Sequence, residues 1–400
     1  MMIRLPEEFT KSTRETFGDE RFERYIQAFD EEPPVSIRLN PRKVAGGEWQ
    51  VEGGEQVPWC PEGYYLQGRP QFTFDPLLHA GCYYVQEAAS MFISHVLRQY
   101  VHQPVTMLDL CAAPGGKSTA AIASVPAGST LHANEPDRRR CSILQENISK
   151  WGYPASTVTN NYPRDYSKSG QTFDVVIADV PCSGEGMFRR DEATIGEWSP
   201  QHVDRCRQLQ REIVSDAWTC LRAGGLLIYS TCTFNTQENE ENVSWMMQSL
   251  DGADIVPVST HPEWHITGSL LDGFTAPVYR FIPGITRSEG LFVAVLQKRG
   301  SGGKVSKGSS LKALPPLMPA ETEGSPRIDV DYATALAYLR GEAVTLPPDT
   351  PRGLVAVAFE GFTLGPAKNI GSRANNLYPK PWRIKTTHIP TEYEPILKLS

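Results

Sequence analysis

The sequence predicts an α/β protein built on a doubly wound parallel sheet. Between residues 76 and 299, short apolar runs alternate with longer helical patterns, and this alternation is typical of parallel sheets covered by helices. A glycine-rich turn follows the first run, and two later runs each end in a cysteine. Because ligands of open α/β sheets bind beyond the carboxyl ends of the strands, these three turns are candidate functional sites.

The runs that precede Cys182 and Cys232 are short, rich in Val, Ile and Leu and bounded by turn residues, as expected for strands of a parallel sheet. In chain order the strand candidates are VTMLDL, STLHANE, FDVVIADV, GGLLIYSTC and GLFVAVLQK. The helical patterns between them include DRRRCSILQENISKW and QHVDRCRQLQREIVSDAWTCLR.

Composition divides the chain into four stretches, which we expect to be its domains. Residues 1–75 hold a charged helix candidate, ERFERYIQAFD, ended by two prolines, and a strand candidate, VSIRLN; they predict a small accessory domain. Residues 76–299 form the α/β core. Residues 300–325 are rich in Gly, Ser and Pro and predict a flexible linker. Residues 326–400 predict a second small α+β domain.

The composition also narrows the class of protein. No run reaches the roughly 18 apolar residues of a membrane span, and the polar start predicts no signal peptide, so we expect a cytoplasmic protein with no membrane partner. The eight cysteines include no Cys-x-x-Cys pair, so we expect no metal and reduced thiols. The formal net charge is −7, so any nucleic acid must contact local basic patches.

The glycine turn AAPGGKS predicts a cofactor site. Gly115 and Gly116 let a ligand approach the backbone, and the helix that starts near Lys117 offers free amides. The turn matches neither the dinucleotide fingerprint nor a Walker loop. Glu135 ends the next strand, where a carboxylate can accept both hydroxyls of a ribose. S-adenosyl-L-methionine, an adenosine-type cofactor without a pyrophosphate, fits best; the alternative is a turn that only reverses the chain.

Cys182 and Cys232 end two of the predicted strands. A lone cysteine there is most often a small buried hydrophobic residue, but two of them at the ligand-binding edge suggest chemistry that uses sulfur twice. Asp179 ends an apolar run just before Cys182, where a carboxylate is costly to bury without a partner. The alternative for Asp179 is a helix cap or an ion pair with Arg189 or Arg190.

Three motifs carry a family resemblance: LDLCAAPGGKST, DVVIADVPCSGEGMFRRD and YSTCTFNTQENEENV. In order and spacing they resemble the motifs of the Nol/Nop/Sun family of RNA cytosine-5 methyltransferases. The C-terminal segments FTLGPAK and NNLYPKPWRIK are similar to the PUA-like RNA-binding module of bacterial RsmF-type 16S rRNA methyltransferases. The resemblance implies a Rossmann-like class I methyltransferase core, an N-terminal α+β RNA-binding domain and a C-terminal PUA-like α+β domain.

The resemblance also implies a covalent mechanism. Cys232 would be the nucleophile that adds to carbon 6 of cytosine, so that carbon 5 can take a methyl group. Cys182 would assist release of the adduct, and Asp179 would bind the cytosine edge. In DNA cytosine methyltransferases the Pro-Cys thiol attacks, so the alternative exchanges the two cysteine roles. The implied cofactor contacts are Cys111, Ala112, Ala113, Pro114, Gly115, Gly116, Lys117, Glu135 and Asp179, with Asn160 or Asn161 near the adenine.

Basic residues in the C-terminal segment are expected to contact RNA. Lys368, Arg373 and Lys380 belong to a stretch, residues 361–385, that has no acidic residue, and such residues suit phosphate contact. Trp382 could stack on a base or pack the core of the module, and packing is the favoured interpretation.

Arg189 and Arg190 follow Cys182 at the catalytic rim and are also expected to contact RNA. The alternative is an ion pair with Asp191 or Glu192. Because the target base must leave the stack to reach a cleft at the strand ends, a single-stranded or distorted RNA site is expected.

The expected partner is RNA, with 16S rRNA or the small ribosomal subunit as the substrate, and the protein is expected to be a monomer. One alternative is that the protein performs the same reaction with tRNA as its substrate. A second alternative is a non-catalytic ribosome-assembly factor that binds RNA without modifying it. A nicotinamide-dependent oxidoreductase fits poorly, because the sequence lacks the pyrophosphate-binding fingerprint.

Overall fold

The computed structural model describes residues 4–44, 49–300, 311–315, 324–386 and 389–399. Its helices are α1 Glu7–Phe17, α2 Asp19–Gln27, α3 Pro76–His79, α4 Phe92–Tyr100, α5 Gly116–Ala123, α6 Arg138–Trp151, α7 Pro163–Ser169, α8 Glu192–Glu197, α9 Pro200–Cys220, α10 Glu240–Ser249 and α11 Tyr332–Leu339. Its strands are β1 Ser36–Leu39, β2 Trp49–Val51, β3 Glu55–Gln56, β4 Gly63–Tyr65, β5 Tyr83–Val85, β6 Thr106–Asp109, β7 Thr130–Asn134, β8 Ser156–Thr159, β9 Phe173–Asp179, β10 Leu221–Thr231, β11 Ala253–Ile255, β12 Tyr279–Phe281, β13 Leu291–Lys298, β14 Arg327–Asp329, β15 Gly353–Phe359, β16 Phe362–Asn369, β17 Ala374–Asn376 and β18 Leu397–Leu399.

The central sheet has the strand order β11-β13-β10-β9-β6-β7-β8, with β12 paired to β13. Strands β6 to β10 are parallel to one another. The chain enters at β6, builds outward to β8, then returns to the other side of β6 for β9 and β10. This reversal beside β6 is the switch point of a doubly wound sheet, so the predicted fold class is confirmed.

Strand β13 differs from the prediction in direction. The run GLFVAVLQK forms a strand as expected, but β13 runs antiparallel to β10, β11 and β12, so the sheet is mixed. The chain passes from β12 to β13 through the loop 282–290 without a helical crossover, and a direct return of this kind reverses strand direction. A buried apolar run does not reveal its direction, because both faces are covered in either case.

The N-terminal region forms an antiparallel sheet of order β3-β4-β1-β5. Since β5 is one of its strands, this sheet extends beyond the predicted boundary at residue 75, through Val85. Arg38 of β1 ties the sheet to the core: its buried guanidinium donates to the side chain of Gln86 at 2.7 Å and to Thr119 of α5 at 2.6 Å.

Helices α1 and α2 pack an aromatic cluster onto the loops that follow β9 and β10. The ring of Phe9 lies 5.0 Å from that of Phe188, and the ring of Phe17 lies 5.8 Å from that of Phe234. All four rings are buried, and edge-to-face contacts of this kind add to the apolar burial. The N-terminal helices therefore brace the two loops that carry the cysteines.

The C-terminal module consists of the sheet β14-β15-β16-β17 and helix α11. Its apolar side chains form one core with those of the N-terminal sheet, and β18 pairs with β2. Trp382 is buried in this shared core, as favoured from the sequence. Most of the predicted linker 300–325 lies outside the described residues; its described piece, 311–315, lies against β8 through a bridge to Thr159.

A buried ion pair supports the loop after β10. Arg280 of β12 and Glu240 at the start of α10 are 1% and 0% exposed and form a bidentate pair, with Nε to Oε1 at 2.7 Å. The guanidinium also donates to the carbonyl of Phe234 at 2.7 Å. Removal of one partner would leave the other charge buried without a counter-charge.

No helix in the described ranges is long and apolar enough to cross a membrane. Within the same ranges, no cluster of three or more His, Cys, Asp or Glu side chains is arranged to hold a metal ion.

Candidate active site

The two strand-end cysteines meet at the carboxyl edge of the sheet. Cys182 follows β9 and Cys232 follows β10, which are neighbouring parallel strands. Their Sγ atoms lie 3.3 Å apart, and both thiols are free and partly exposed. The predicted pair therefore forms a single accessible site.

The loops after the two cysteines are bonded to each other. The amide of Gly186 donates to the carbonyl of Cys232 at 2.8 Å, and the hydroxyls of Ser183 and Thr233 are 2.8 Å apart. A Cβ on Gly186 would lie 2.8 Å from that carbonyl oxygen, so only glycine permits this approach. The small residues of CSGEG thus bring the two thiol loops together.

The two thiols are not equivalent electrostatically. The pKa of Cys182 is raised well above its ordinary value, first by its hydrogen bond with Cys232, then by burial and by the charge of Cys232. Cys182 is therefore held as the thiol, with Cys232 as its hydrogen-bond partner.

Asp179 pairs with Lys117 beside the thiols. Its Oδ2 accepts from Lys117 Nζ at 2.8 Å, and its Oδ1 accepts from the hydroxyl of Ser230 at 2.7 Å. Burial lowers the pKa of Lys117, but the charge and hydrogen bond of Asp179 outweigh burial, so the pKa is raised. The charged partner of Asp179 is therefore the lysine of the glycine turn, not Arg189 or Arg190 as considered from the sequence.

The glycine turn joins β6 to α5 as predicted. Gly115 has φ 114°, a conformation that other residues rarely adopt, and helix α5 begins at Gly116. Cys111, Ala112 and Ala113 are buried under the turn. Pro114 lies between Ala113 and Gly115, and the peptide bond from Ala113 to Pro114 is cis. The turn brings Lys117 to the carboxyl edge of β9.

Two buried carboxylates at this edge each keep an oxygen without a hydrogen bond to any described residue. Glu135, 1% exposed, accepts the amide of Asp137 at Oε1, while Oε2 lies 3.3 Å from Arg140 without hydrogen-bond geometry. Asp109, fully buried at the end of β6, accepts from Ser118 at 2.6 Å through Oδ2, and its Oδ1 has no such partner. Burial raises the pKa of Asp109 to about 7.

Asp109 was not singled out in the sequence. The argument applied to Asp179, a carboxylate that ends an apolar run, applies equally to Asp109 in VTMLDL. Oxygens of this kind, buried and with unused acceptor capacity, suit the hydroxyl and amino groups of a polar ligand.

Asn160 lies next to Glu135, but its amide is largely used by the protein. Its Nδ2 donates to the carbonyls of Glu135 at 2.7 Å and of Pro136 at 3.0 Å. The neighbouring Asn161 contacts Lys312 of the described piece after the core. The side-chain oxygen of Asn160, Oδ1, is the atom that remains for the predicted contact with an adenine.

Glu185 is a buried carboxylate behind the cysteine loops that sequence reasoning missed. It is 2% exposed and accepts from the indole of Trp198 at 2.9 Å and from the amides of Phe234 and Asn235 at 2.6 and 3.0 Å. It therefore fastens the loop after Cys182 to the loop after Cys232.

Glu238 is the second missed carboxylate. It accepts the amide of Ser183 at 3.0 Å and the side chains of Gln210 and Asn235 at 2.6 and 2.8 Å. Burial first, then the charge of Glu185, raises the pKa of Glu238 to about 7. The signal for both residues was the placement of glutamates in the motifs that contain the two cysteines.

Glu238 predicts a measurable pH dependence. Because its pKa is raised from 4.5 to about 7 in the folded protein, the folded state holds a proton that the unfolded state releases. The free energy of unfolding should therefore fall as pH rises from about 4.5 to about 7, and this site should contribute roughly 2–3 kcal/mol. Chemical unfolding of Glu238→Gln across this range should give a shallower pH dependence than wild type.

Glu241→Gln provides the matched control, since Glu241 is partly exposed and accepts a hydrogen bond from the Thr236 hydroxyl at 3.0 Å, whereas Glu238 is buried. Its pH dependence should follow that of wild type. Parallel curves for wild type and Glu238→Gln would contradict this interpretation of Glu238.

Arg189 and Arg190 are in ion pairs, which is the alternative considered from the sequence. Their partner is Glu289, not Asp191 or Glu192. The side chain of Arg189 is 6% exposed and binds Glu289 at 2.6 Å, and Arg190 lies 3.6 Å from the same carboxylate. Arg189 is therefore not placed to bind phosphate as predicted, because it is buried and neutralised. Arg190 remains exposed at the rim.

The C-terminal basic residues lie apart from the thiol site, on the surface of their own module. Lys368, Arg373 and Lys380 are exposed, with Lys368 in β16 and Arg373 in the turn between β16 and β17. The structure does not bring them to the cysteines, and their contact with RNA stays a prediction.

The arrangement of the thiols, the carboxylates and the glycine turn can be set beside known families. The model of the 16S rRNA methyltransferase RsmB/F family matches residues 97–297. The chain belongs to this family. Models of the N-terminal domain of 16S rRNA methyltransferase RsmF and of the RsmF PUA domain match residues 5–88 and 325–384. The resemblance stated from the three sequence motifs is therefore confirmed.

Relatives in the RsmB/F family include two bacterial proteins named ribosomal RNA small subunit methyltransferase F. The protein of Pectobacterium atrosepticum is 32% identical over 74% of this chain and 63% of its own length. The protein of Serratia proteamaculans is 31% identical over 84% of this chain and 72% of its own length. The chain thus spans about two thirds of the length of these relatives.

Solved structures share the fold of this RsmB/F family member. A methyltransferase homolog protein from Pyrococcus horikoshii superposes with a TM-score of 0.62 at 22% identity, covering 74% of this chain and 96% of the other. The structure of NSun6 from the same organism, with SFG, gives a TM-score of 0.63 at 20% identity, covering 75% and 100%.

Proposed function

We propose that this protein methylates carbon 5 of cytosine in 16S rRNA, with S-adenosyl-L-methionine as methyl donor and a covalent cysteine–cytosine adduct as intermediate. The observation that carries the proposal is the thiol pair: two free Sγ atoms 3.3 Å apart at the ligand edge of a methyltransferase sheet, next to the Asp179–Lys117 pair. Membership of the RsmB/F family supports RNA methylation. The thiol pair supports the finer statement about carbon 5.

Cys232 is the proposed nucleophile. Its Sγ forms a bond to carbon 6 of cytosine, and the displaced ring electrons make carbon 5 nucleophilic. Carbon 5 then bonds to the methyl group, whose bond to the donor sulfur breaks. Loss of the proton on carbon 5 and cleavage of the carbon 6–Sγ bond restore the ring and return Cys232 as the thiolate.

Cys182 is proposed to act in the release step. The charge and hydrogen bond of Cys232 raise the pKa of Cys182, so Cys182 keeps its proton while Cys232 attacks. In the adduct Cys232 is a thioether and carries no charge, so the part of the rise in the Cys182 pKa that this charge causes is lost. Cys182, which is partly exposed, then releases its proton to solvent more readily, and the resulting thiolate can accept the proton from carbon 5.

Asp179 and Lys117 are proposed to hold the cytosine edge. Asp179 is fixed by Lys117 and Ser230 at 2.8 and 2.7 Å, so its carboxylate does not have to reorganise when charge develops on the ring. This pairing also keeps the charged end of Lys117 beside Cys232.

The residues at the glycine turn fit the proposed cofactor. Glu135 and Asp109 each have a buried oxygen at the edge of the sheet that accepts no hydrogen bond from a described residue, and these oxygens suit the ribose hydroxyls and the amino group of S-adenosyl-L-methionine. When bound, S-adenosyl-L-methionine supplies an activated methyl group on a sulfonium. The structure of NSun6, which shares this fold, contains SFG, and this supports the binding of a ligand by a protein with this fold.

Bisulfite sequencing tests the function directly. We expect cells that lack this protein to lose 5-methylcytosine from 16S rRNA and to keep it in tRNA, and we expect expression of the wild-type protein to restore it. A catalytically idle protein with both cysteines replaced by alanine serves as control for an assembly role. Loss of the modification from tRNA alone would assign the tRNA alternative, and loss from neither RNA would refute the proposal.

A further inference from the structure

A large cavity lies between the N-terminal sheet and the core, outside the cysteine site. It has a volume of about 1030 Å³ and is lined by residues 31–36 after α2, by the segment after β5 and by the loop 282–290. Neither the residues of the glycine turn nor Glu135 line it. A volume at the upper end of the roughly 300–1,000 Å³ typical of ligand pockets can hold a ligand.

Two buried polar side chains in its wall lack a hydrogen-bond partner among the described residues. Gln86 is 6% exposed, and its Oε1 accepts from Arg38, which fixes the amide and leaves Nε2 unpaired. Ser288 is 2% exposed, and its hydroxyl is likewise unpaired. Buried polar groups in folded proteins almost always have partners, so two unpaired groups in one cavity wall indicate a polar ligand.

The rest of the wall carries charges of both signs. Three exposed arginines, Arg69, Arg190 and Arg287, line the cavity together with Glu31 and Glu32. Arginine suits phosphate, while the carboxylates argue against a uniform track for an anionic backbone. The lining therefore suits a ligand that combines a few phosphates with polar base and sugar edges.

The cavity adjoins the cysteine site on one side. Gln86 Nε2 lies 3.5 Å from the position that a Cβ on Gly116 would take, and Gly116 precedes Lys117, the partner of Asp179. On the other side, Glu289 follows Ser288 and binds Arg189 in the loop after Cys182. A chain whose target base sits at the thiols would pass this cavity with its neighbouring nucleotides.

We infer that this cavity binds the single-stranded RNA next to the target cytosine. Gln86 and Ser288 contact base or ribose edges, and Arg69 and Arg190 contact phosphates. The inference rests on the proposed function, which supplies the reason for RNA at the neighbouring thiols. It adds a subsite that would read nucleotides flanking the target.

Ser288→Ala and Arg69→Ala test the inference on the full chain. The Ser288 hydroxyl bonds no described residue and Arg69 is exposed, so neither change should alter the thermal midpoint or the affinity for S-adenosyl-L-methionine. Each should weaken binding of a 16S rRNA transcript roughly three- to ten-fold. Arg69→Ala should also reduce the slope of log affinity against log salt by about one, whereas Ser288→Ala should not. Arg222→Ala, an exposed arginine at the opposite edge of the sheet, should bind RNA as wild type does.

Unchanged RNA affinity in both variants would overturn the inference, and so would equal losses in Arg222→Ala. Cytidine monophosphate that binds wild type as tightly as RNA, and binds Ser288→Ala more weakly, would also overturn it and assign a mononucleotide site. If RNA binding depends on the cavity but no methyl group is transferred, the proposed function fails and the subsite stands. If RNA is methylated and the variants match wild type, the subsite alone fails.

Discussion

Cys232→Ala is expected to abolish methyl transfer and covalent capture of RNA together. The alanine removes the only atom that can bond to carbon 6 in the proposed mechanism, so the loss in kcat should be at least about a thousand-fold. Transfer of labelled methyl groups to 16S rRNA measures the first effect. An RNA–protein complex that survives denaturing electrophoresis measures the second.

Cys182→Ala is expected to give the opposite capture result. Without Cys182 the adduct forms at Cys232 but is released slowly, so a denaturation-resistant complex should accumulate while turnover falls. The two sulfurs lie 3.3 Å apart, and in the proposed mechanism both act on one base, so the two variants form a matched pair. Cys220→Ala is the control, because Cys220 is a buried thiol at the end of α9, at the opposite edge of the sheet.

Accumulation of the complex in Cys232→Ala and its loss in Cys182→Ala would exchange the two roles. Equal retention of turnover in both variants would refute a covalent mechanism. In neither case would family membership be in question, since it rests on the match of the whole core.

Glu240→Gln is expected to destabilise the protein by about 3–5 kcal/mol. The change leaves Arg280, 1% exposed, without its counter-charge, and a single buried charge costs about this much. Denaturant unfolding measures the loss. Because Arg280 also binds the carbonyl of Phe234, the loop after Cys232 should loosen, and methyl transfer should fall more than the folded fraction does.

Two controls separate this effect from a general loss of charge. Glu23→Gln removes one of the two carboxylate partners of Arg14, both exposed, and should leave the free energy of unfolding nearly unchanged. Glu240→Leu combined with Arg280→Met removes both charges and should recover most of the stability. A Glu240→Gln variant as stable as wild type would contradict the role given to this pair.

The local parts of the fold could be predicted from the sequence. Apolar runs and turn residues located β6, β7, β9 and β10, helices α6 and α9 and the glycine turn, because these signals lie within a few residues of each other. The position of Cys182 and Cys232 at strand ends was predicted for the same reason.

Pairings between distant segments could not be predicted. The direction of β13, the place of β5 in the N-terminal sheet and the core shared by the first and last domains depend on partners far apart in the chain. Glu185 and Glu238 show the same limit at the site. Their place in the cysteine motifs could mark them as candidates, but the sequence does not reveal which distant side chains and amides they bind. Arg189 was misjudged because Glu289, its partner, lies a hundred residues away.

The pairing of β18 with β2, and the core that the first and last domains share, join the last module firmly to the first domain. The exposed lysines and arginine of the last module stand at a set spacing from the thiols, because their module is fastened to the first domain and Arg38 fastens that domain to the core. If these residues contact RNA as predicted, an RNA that reaches both regions must span that distance while its target base lies at the thiols. Discrimination among RNAs would then depend on the folded outline of the substrate as much as on the bases beside the target.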